Sequence, residues 1–180
     1  MTDEEKLLAQ LKSEIQKDQA FKVLLELYKE RLYWHIRHIV KSHDDTDDVL
    51  QNTFIKVYKN INNFKGNSQL FSWMYRIATN ESITFINKKA KKLHISNAEV
   101  QETAINNLKS DIYFEGNDIQ LKLQQAIATL PEKQQLVFNM KYFENLKYKD
   151  MSEILETSEG ALKASYHIAV KKIETYLTNN

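Results

Sequence analysis

The chain has 180 residues, 42% of them apolar, with 25 Lys and Arg against 24 Asp and Glu and no cysteine. This suits one large globular domain or two small ones, is too apolar for wholesale disorder, and excludes disulfides, thiolate metal sites and cysteine catalysis. Three glycines and one proline cannot build a phosphate-cradling Gly-rich loop, and no apolar run reaches the length that spans a bilayer. The N-terminus is acidic and then amphipathic, unlike a signal peptide. A reduced, cytoplasmic, soluble protein is expected.

No stretch shows sustained period-two alternation, so the fold class is all-α. Residues 4–16 predict a short helix with Leu7, Leu8, Leu11 and Ile15 on one side. Asp18 is positioned to cap a longer helix whose apolar row is Phe21, Leu24, Leu25, Tyr28, Leu32, Ile36 and Ile39. A turn and cap at 43–45 precede a third helix carrying Val49, Leu50, Thr53, Phe54, Val57, Tyr58 and Ile61. Residues 62–69 read as a loop, and a fourth helix runs from Leu70 to a lysine cluster at 88–92.

Residues 96–118 carry five acids, one lysine and little periodicity, and predict a flexible acidic linker. Net charge is +4 over 1–95, −4 over the linker and +1 over 119–180. Four short helices follow. Ile119, Leu123, Ala126, Ile127 and Leu130 mark the first, and Pro131 opens the second. Residues 148–155 form the third. Ser158 caps the fourth, which runs to about Leu177. A short helix, a three-residue turn and a longer polar-faced helix are the pattern of a helix-turn-helix.

Three faces stand out. On the last helix, Leu162, Tyr166, Ala169, Ile173 and Leu177 share one side, while Gly160, Lys163, Ala164, His167 and Lys171 share the other. Small residues allow close approach to a DNA groove, and cationic donors reach base edges and phosphates. A solvated bundle face has the same composition, but the preceding helix and turn favour the groove reader. On the third helix, Asp48, Gln51, Asn52, Ile55 and Lys59 lie opposite the apolar row. Ile55 reads equally as an ordinary exposed residue or as a small protein-binding anchor with a polar rim. From Phe64 to Lys92, aromatics alternate with polar and cationic groups: Phe64, Lys65, Asn67, Ser68, then Phe71, Trp73, Tyr75, Arg76, Asn80, Lys88 and Lys89. Aromatic faces stack on unpaired bases and lysines neutralise phosphates; Phe71, Trp73 and Met74 also fit an ordinary core. His35, His38, His43, Asp44 and Asp45 cluster without metal-site spacing, and no catalytic constellation or cofactor motif is present.

The segments DDTDDVLQNTFIKVYKNINNFKG (44–66) and LFSWMYRIATN (70–80) resemble region 2 of extracytoplasmic-function sigma factors of bacterial RNA polymerase. LPEKQQLVFNMKYFENLKYKDMSEILETSEGALKASYHIAVKKIETYL (130–177) resembles their region 4. The resemblance implies two small helical domains, region 2 over 1–95 and region 4 over 119–180, joined by the 96–118 linker. It implies a dissociable, non-catalytic transcription initiation factor that binds core polymerase and directs it to promoters. Asp48, Gln51, Asn52 and Ile55 would meet the clamp coiled coil of the largest polymerase subunit, with Asn52 standing where Glu is more usual. Phe64, Lys65, Asn67, Ser68, Asn80, Lys88 and Lys89 would serve the minus-10 element. Gly160, Lys163, Ala164, His167, Lys171 and Lys172 would serve the minus-35 element, since Ser165, Ile168 and Val170 fall where Arg is common. With no added C-terminal domain after Asn180, a separate anti-sigma protein is the expected kind of regulator. The competing readings are a stand-alone two-domain helix-turn-helix regulator and an anti-sigma-like adaptor.

Overall fold

The computed structural model describes residues 2–111 and 114–180. Among the described residues the chain forms nine α-helices, two 3-10 turns and no strand. The helices are α1 (Asp3–Leu11), α2 (Lys17–Val40), α3 (His43–Asn60), α4 (Leu70–Leu93), α5 (Asn97–Asn106), α6 (Asp118–Ala128), α7 (Glu132–Tyr142), α8 (Tyr148–Leu155) and α9 (Glu159–Asn179).

Local chemistry sets most of these ends. Thr2 and Glu5 close a capping box on α1, and Ser42 and Ser158 accept from the third backbone N–H of α3 and α9. Pro131 precedes α7, where its missing N–H costs nothing. Lys41, His94 and Glu156 end α2, α4 and α8 in the left-handed region, with φ of 67°, 55° and 52°.

Helices α2, α3 and α4 pack pairwise around Leu24, Leu32, Ile36, Val57, Leu70 and Met74, all fully buried, and α1 lies on α2. In the C-terminal half, α6, α7 and α8 pack on α9. Ala126, Ile127, Leu130, Phe138, Ala169 and Ile173 form its own small core. The halves are not separate bodies on a tether. Met140, Leu146, Met151, Ile154 and Leu162 belong to the same apolar cluster as the α2–α4 core, and α8 packs on α4.

Three expectations differ from the structure. Helix α1 stops at Leu11, and Ile15 is 95% exposed instead of sharing the apolar side. Asp18 does not cap α2; it accepts a hydrogen bond from the Tyr58 hydroxyl at 2.7 Å. The segment 96–118 is not plain irregular linker. A Ser96–Glu99 capping box starts α5, which buries Val100 and Ile105 and packs between α4 and α6. Ile112 and Tyr113, within the expected linker, lie outside the described residues.

Candidate polymerase and promoter interface

Helix α3 has two unlike faces. Thr46, Val49, Leu50, Thr53, Phe54 and Val57 are buried. Asp48, Gln51, Asn52 and Ile55 form the opposite, exposed face, and Ile55 is 44% exposed. An apolar side chain held out among polar ones by a rigid helix is suited to enter a pocket on a partner.

After α3 the chain makes a 3-10 turn at Ile61–Asn63 and a loop to Gln69. Lys65, Asn67 and Gln69 are exposed, Ser68 is half-buried, and Gly66 turns the chain with φ of 75°. Phe64 differs from its neighbours: it is 4% exposed, with its ring 5.2 Å from that of Trp73. Phe64 therefore anchors the loop from within and offers no free stacking face. On α4, Phe71, Met74 and Tyr75 are buried while Asn80 and Lys88 are exposed. Lys89 is half-buried and bonds Asp45 of α3 at 2.5 Å. Its charge is thus partly spent inside the fold, whereas that of Lys88 faces solvent.

The helix-turn-helix forms as the spacing predicts. Helix α8 turns through Glu156, Thr157 and Ser158 into α9. Leu162, Ala169 and Ile173 are buried, and Tyr166 is half-buried against Phe138. Gly160, Lys163, Ala164, His167, Lys171 and Lys172 are all exposed. Nothing lies within 4 Å of where a Cβ of Gly160 would stand. The Lys163 ammonium sits 5.6 Å from the Tyr148 ring centre, and Lys172 reaches Gln134 at 3.2 Å. Leu177, expected on the packed side, is 38% exposed near the end of α9.

A polar seam joins the halves. His35 Nδ1 lies 2.9 Å from Glu144 Oε1, and its Nε2 lies 2.7 Å from the Thr79 hydroxyl. His38 stacks on Phe143, and the Asn139 amide donates to the His38 carbonyl at 3.1 Å. Burial alone would raise the Glu144 carboxyl, but the two imidazoles beside it outweigh burial and hold it at about 2. Burial lowers His38. Lys41, wholly enclosed, is lowered to about 7 by burial and by Arg37, and it donates to Gln124 of α6. Arg76 of α4 donates to the Glu153 carbonyl of α8 and to the carboxylate of Glu156, in the turn that follows it.

Among the described residues no group of three or more acids or histidines is arranged to hold a metal. The histidines that lie close in sequence over 35–43 are divided in space: His35 and His38 turn to Glu144, and His43 meets the Tyr33 hydroxyl at 2.7 Å. Sequence reading missed the seam because Glu144 sits in a turn with no periodicity and meets a histidine 109 residues away.

The model of Sigma-70 region 2 matches residues 24–92, and that of Sigma-70, region 4 matches residues 120–173. The chain is 31% identical over 157 residues to the ECF RNA polymerase sigma factor SigW of Bacillus subtilis, covering 82% of this chain and 83% of that protein. It is 25% identical over 166 residues to the RNA polymerase sigma-H factor of Pseudomonas aeruginosa, covering 88% and 86%. The fold resembles that of CnrH in its complex with the cytosolic domain of CnrY, with a TM-score of 0.71, 18% identity and 98% of each chain covered. It also resembles RpoE of Bartonella quintana bound to the anti-sigma factor NepR, with a TM-score of 0.65, 18% identity and coverage of 88% and 96%.

Proposed function

The chain belongs to the sigma-70 family, as an RNA polymerase sigma factor of the extracytoplasmic-function group, and on that premise we propose how its exposed faces divide the work. As a member it is an initiation factor that directs core polymerase to promoters. Asp48, Gln51, Asn52 and Ile55 of α3 dock on the clamp coiled coil of the largest core subunit. The loop 64–69, with Asn80 and Lys88 on α4, reads and holds the minus-10 element. Gly160, Lys163, Ala164, His167, Lys171 and Lys172 of α9 enter the minus-35 major groove. Bond formation belongs to the polymerase, so the chain is not itself an enzyme. An anti-sigma protein is its regulator, as in the complex of RpoE with NepR. No described helix is long and apolar enough to cross a membrane.

The observation that carries this reading is the division of α3 and α9: on each, the residues matching family contact positions are exposed while the opposite face is sealed in a core. Fluorescence anisotropy of a promoter duplex tests it. The chain alone binds weakly, because its net charge is only +1 and each half offers few phosphate partners, and non-specific binding is typically about 10⁻⁴–10⁻⁶ M at physiological salt. Adding core produces tight, site-specific binding. Tight binding by the chain alone would instead indicate a stand-alone regulator.

A further inference from the structure

Helix α1 precedes the part of the chain that matches region 2, at 24–92, and none of the contacts proposed above uses it. Two of its polar side chains hold the two ends of the loop between α3 and α4. Lys12, its C-cap residue, donates from Nζ to the Phe64 carbonyl at 2.7 Å. Glu4, in its first turn, accepts from the Leu70 backbone N–H at 3.0 Å. Lys12 lies eight positions after Glu4, a helical rise of about 12 Å.

The bond to Leu70 answers a local deficiency. Helix α4 starts from Gln69, which makes no side-chain capping bond and is not among the favoured capping residues. Its first-turn N–H groups therefore need acceptors from elsewhere. Glu4 supplies one and sets a carboxylate against the positive end of the helix dipole. Glu153 of α8 approaches the Gln69 N–H at 3.4 Å, but that bond lasts only while α8 lies on α4. The bond from Glu4 comes from the N-terminal half itself. Leu7 and Leu11 are buried in the region 2 core and hold α1 in place, with Leu11 fully enclosed. Between the two clamped ends, Lys65, Gly66, Asn67 and Gln69 remain exposed.

We propose that α1 is a positioning clamp for minus-10 recognition: Lys12 at Phe64 and Glu4 at Leu70 fix the loop in the conformation that presents Lys65, Asn67 and Ser68 to a minus-10 base. This rests on the reading of 64–69 as the minus-10 loop. A loop fixed before it meets its base does not lose that freedom on binding. The discrimination between right and wrong bases then depends on both clamping bonds.

The test uses the full chain assembled with core polymerase. Open-complex formation is measured on a promoter and on a set with single substitutions in the minus-10 element, and the ratio of preferred to substituted is the readout. Variants are Glu4→Met, Lys12→Met, Lys12→Arg as the conservative replacement, and Asn67→Ala in the loop. Thermal unfolding and core pull-down are run on each. The clamp predicts that Glu4→Met and Lys12→Met, each of which removes one clamping partner, lower the ratio about two- to tenfold, the size of one lost hydrogen bond. Core pull-down and response to minus-35 substitutions stay as in the wild type, and Lys12→Arg restores the ratio. If Asn67→Ala lowers the ratio and neither clamp variant does, α1 has no positioning role and the loop reading stands. If Asn67→Ala also leaves it unchanged, the loop reading itself fails. A fall in core pull-down and in minus-35 response together with the ratio shows a merely structural helix and overturns the clamp.

Discussion

Single side chains on α3 and in the following loop separate stability from contact. Ile55 faces solvent among Asp48, Gln51 and Asn52, so Ile55→Glu leaves the melting temperature of the free chain nearly unchanged. The same change weakens capture of core in a pull-down, by more than about 1 kcal/mol if Ile55 is an anchor. Unchanged capture would remove Ile55 from the interface. Phe64 behaves oppositely. Its ring is buried against Trp73, so Phe64→Ala costs about 3–5 kcal/mol in chemical denaturation, while Lys65→Ala next to it costs almost nothing. Equal, small losses for both would show that Phe64 is not packed as described. The Phe64 case shows where residue types mislead. A phenylalanine in a polar loop carries the same letter whether it faces a base or the core, and only the tertiary position of Trp73 decides.

Helices were legible where capping and periodicity agreed. Ser158 caps α9, Pro131 precedes α7, and the buried positions Leu162, Ala169 and Ile173 fall at the expected spacing. Helix α5 was not legible. It buries only Val100 and Ile105 within its ten residues, too few for a periodic signal, and its acidic composition matched that of a tether. Its Ser96–Glu99 capping box was the one available cue. Helix α1 was overextended because Ile15 continues an apolar spacing that the fold does not use. For α9 the exposed face gives a prediction of its own. Lys163→Ala and His167→Ala each lower transcription from minus-35-dependent promoters by about 1–3 kcal/mol per lost base contact. Lys171→Ala weakens binding evenly across sequences, as a phosphate contact does. A panel of minus-35 substitutions separates the two, and equal reading by wild type and by both specific variants would place the groove contact elsewhere.

Across the whole chain, the seam between the halves was invisible to local patterning because its partners are far apart in sequence. It also makes packing dependent on pH. His38 is lowered in the fold mainly by burial, so the unfolded chain binds its proton more readily. That contribution is present above the unfolded value near 6.5 and is lost as pH falls through the lowered folded value. Glu144 is lowered from 4.5 to about 2, so its contribution is present above about 4.5 and is lost as pH falls towards about 2. Both groups therefore weaken the packed arrangement on acidification. Glu144→Gln, which leaves His35 facing a neutral amide, lowers stability at pH 7 by about 1–3 kcal/mol. It also flattens the loss below pH 4.5 in melts taken across pH. A slope there identical to that of the wild type would show that Glu144 does not carry it.

Run-off transcription with purified core on templates altered separately in the minus-10 and minus-35 elements brings both promoter faces and the core-binding face into one measurement. With the chain present, transcripts start at one position set by the two elements. Ile55→Glu lowers output on every template, Asn67→Ala changes the ranking of minus-10 templates, and His167→Ala changes the ranking of minus-35 templates. Start-site choice by core that is the same with and without the chain would contradict the assignment of these faces to polymerase and promoter.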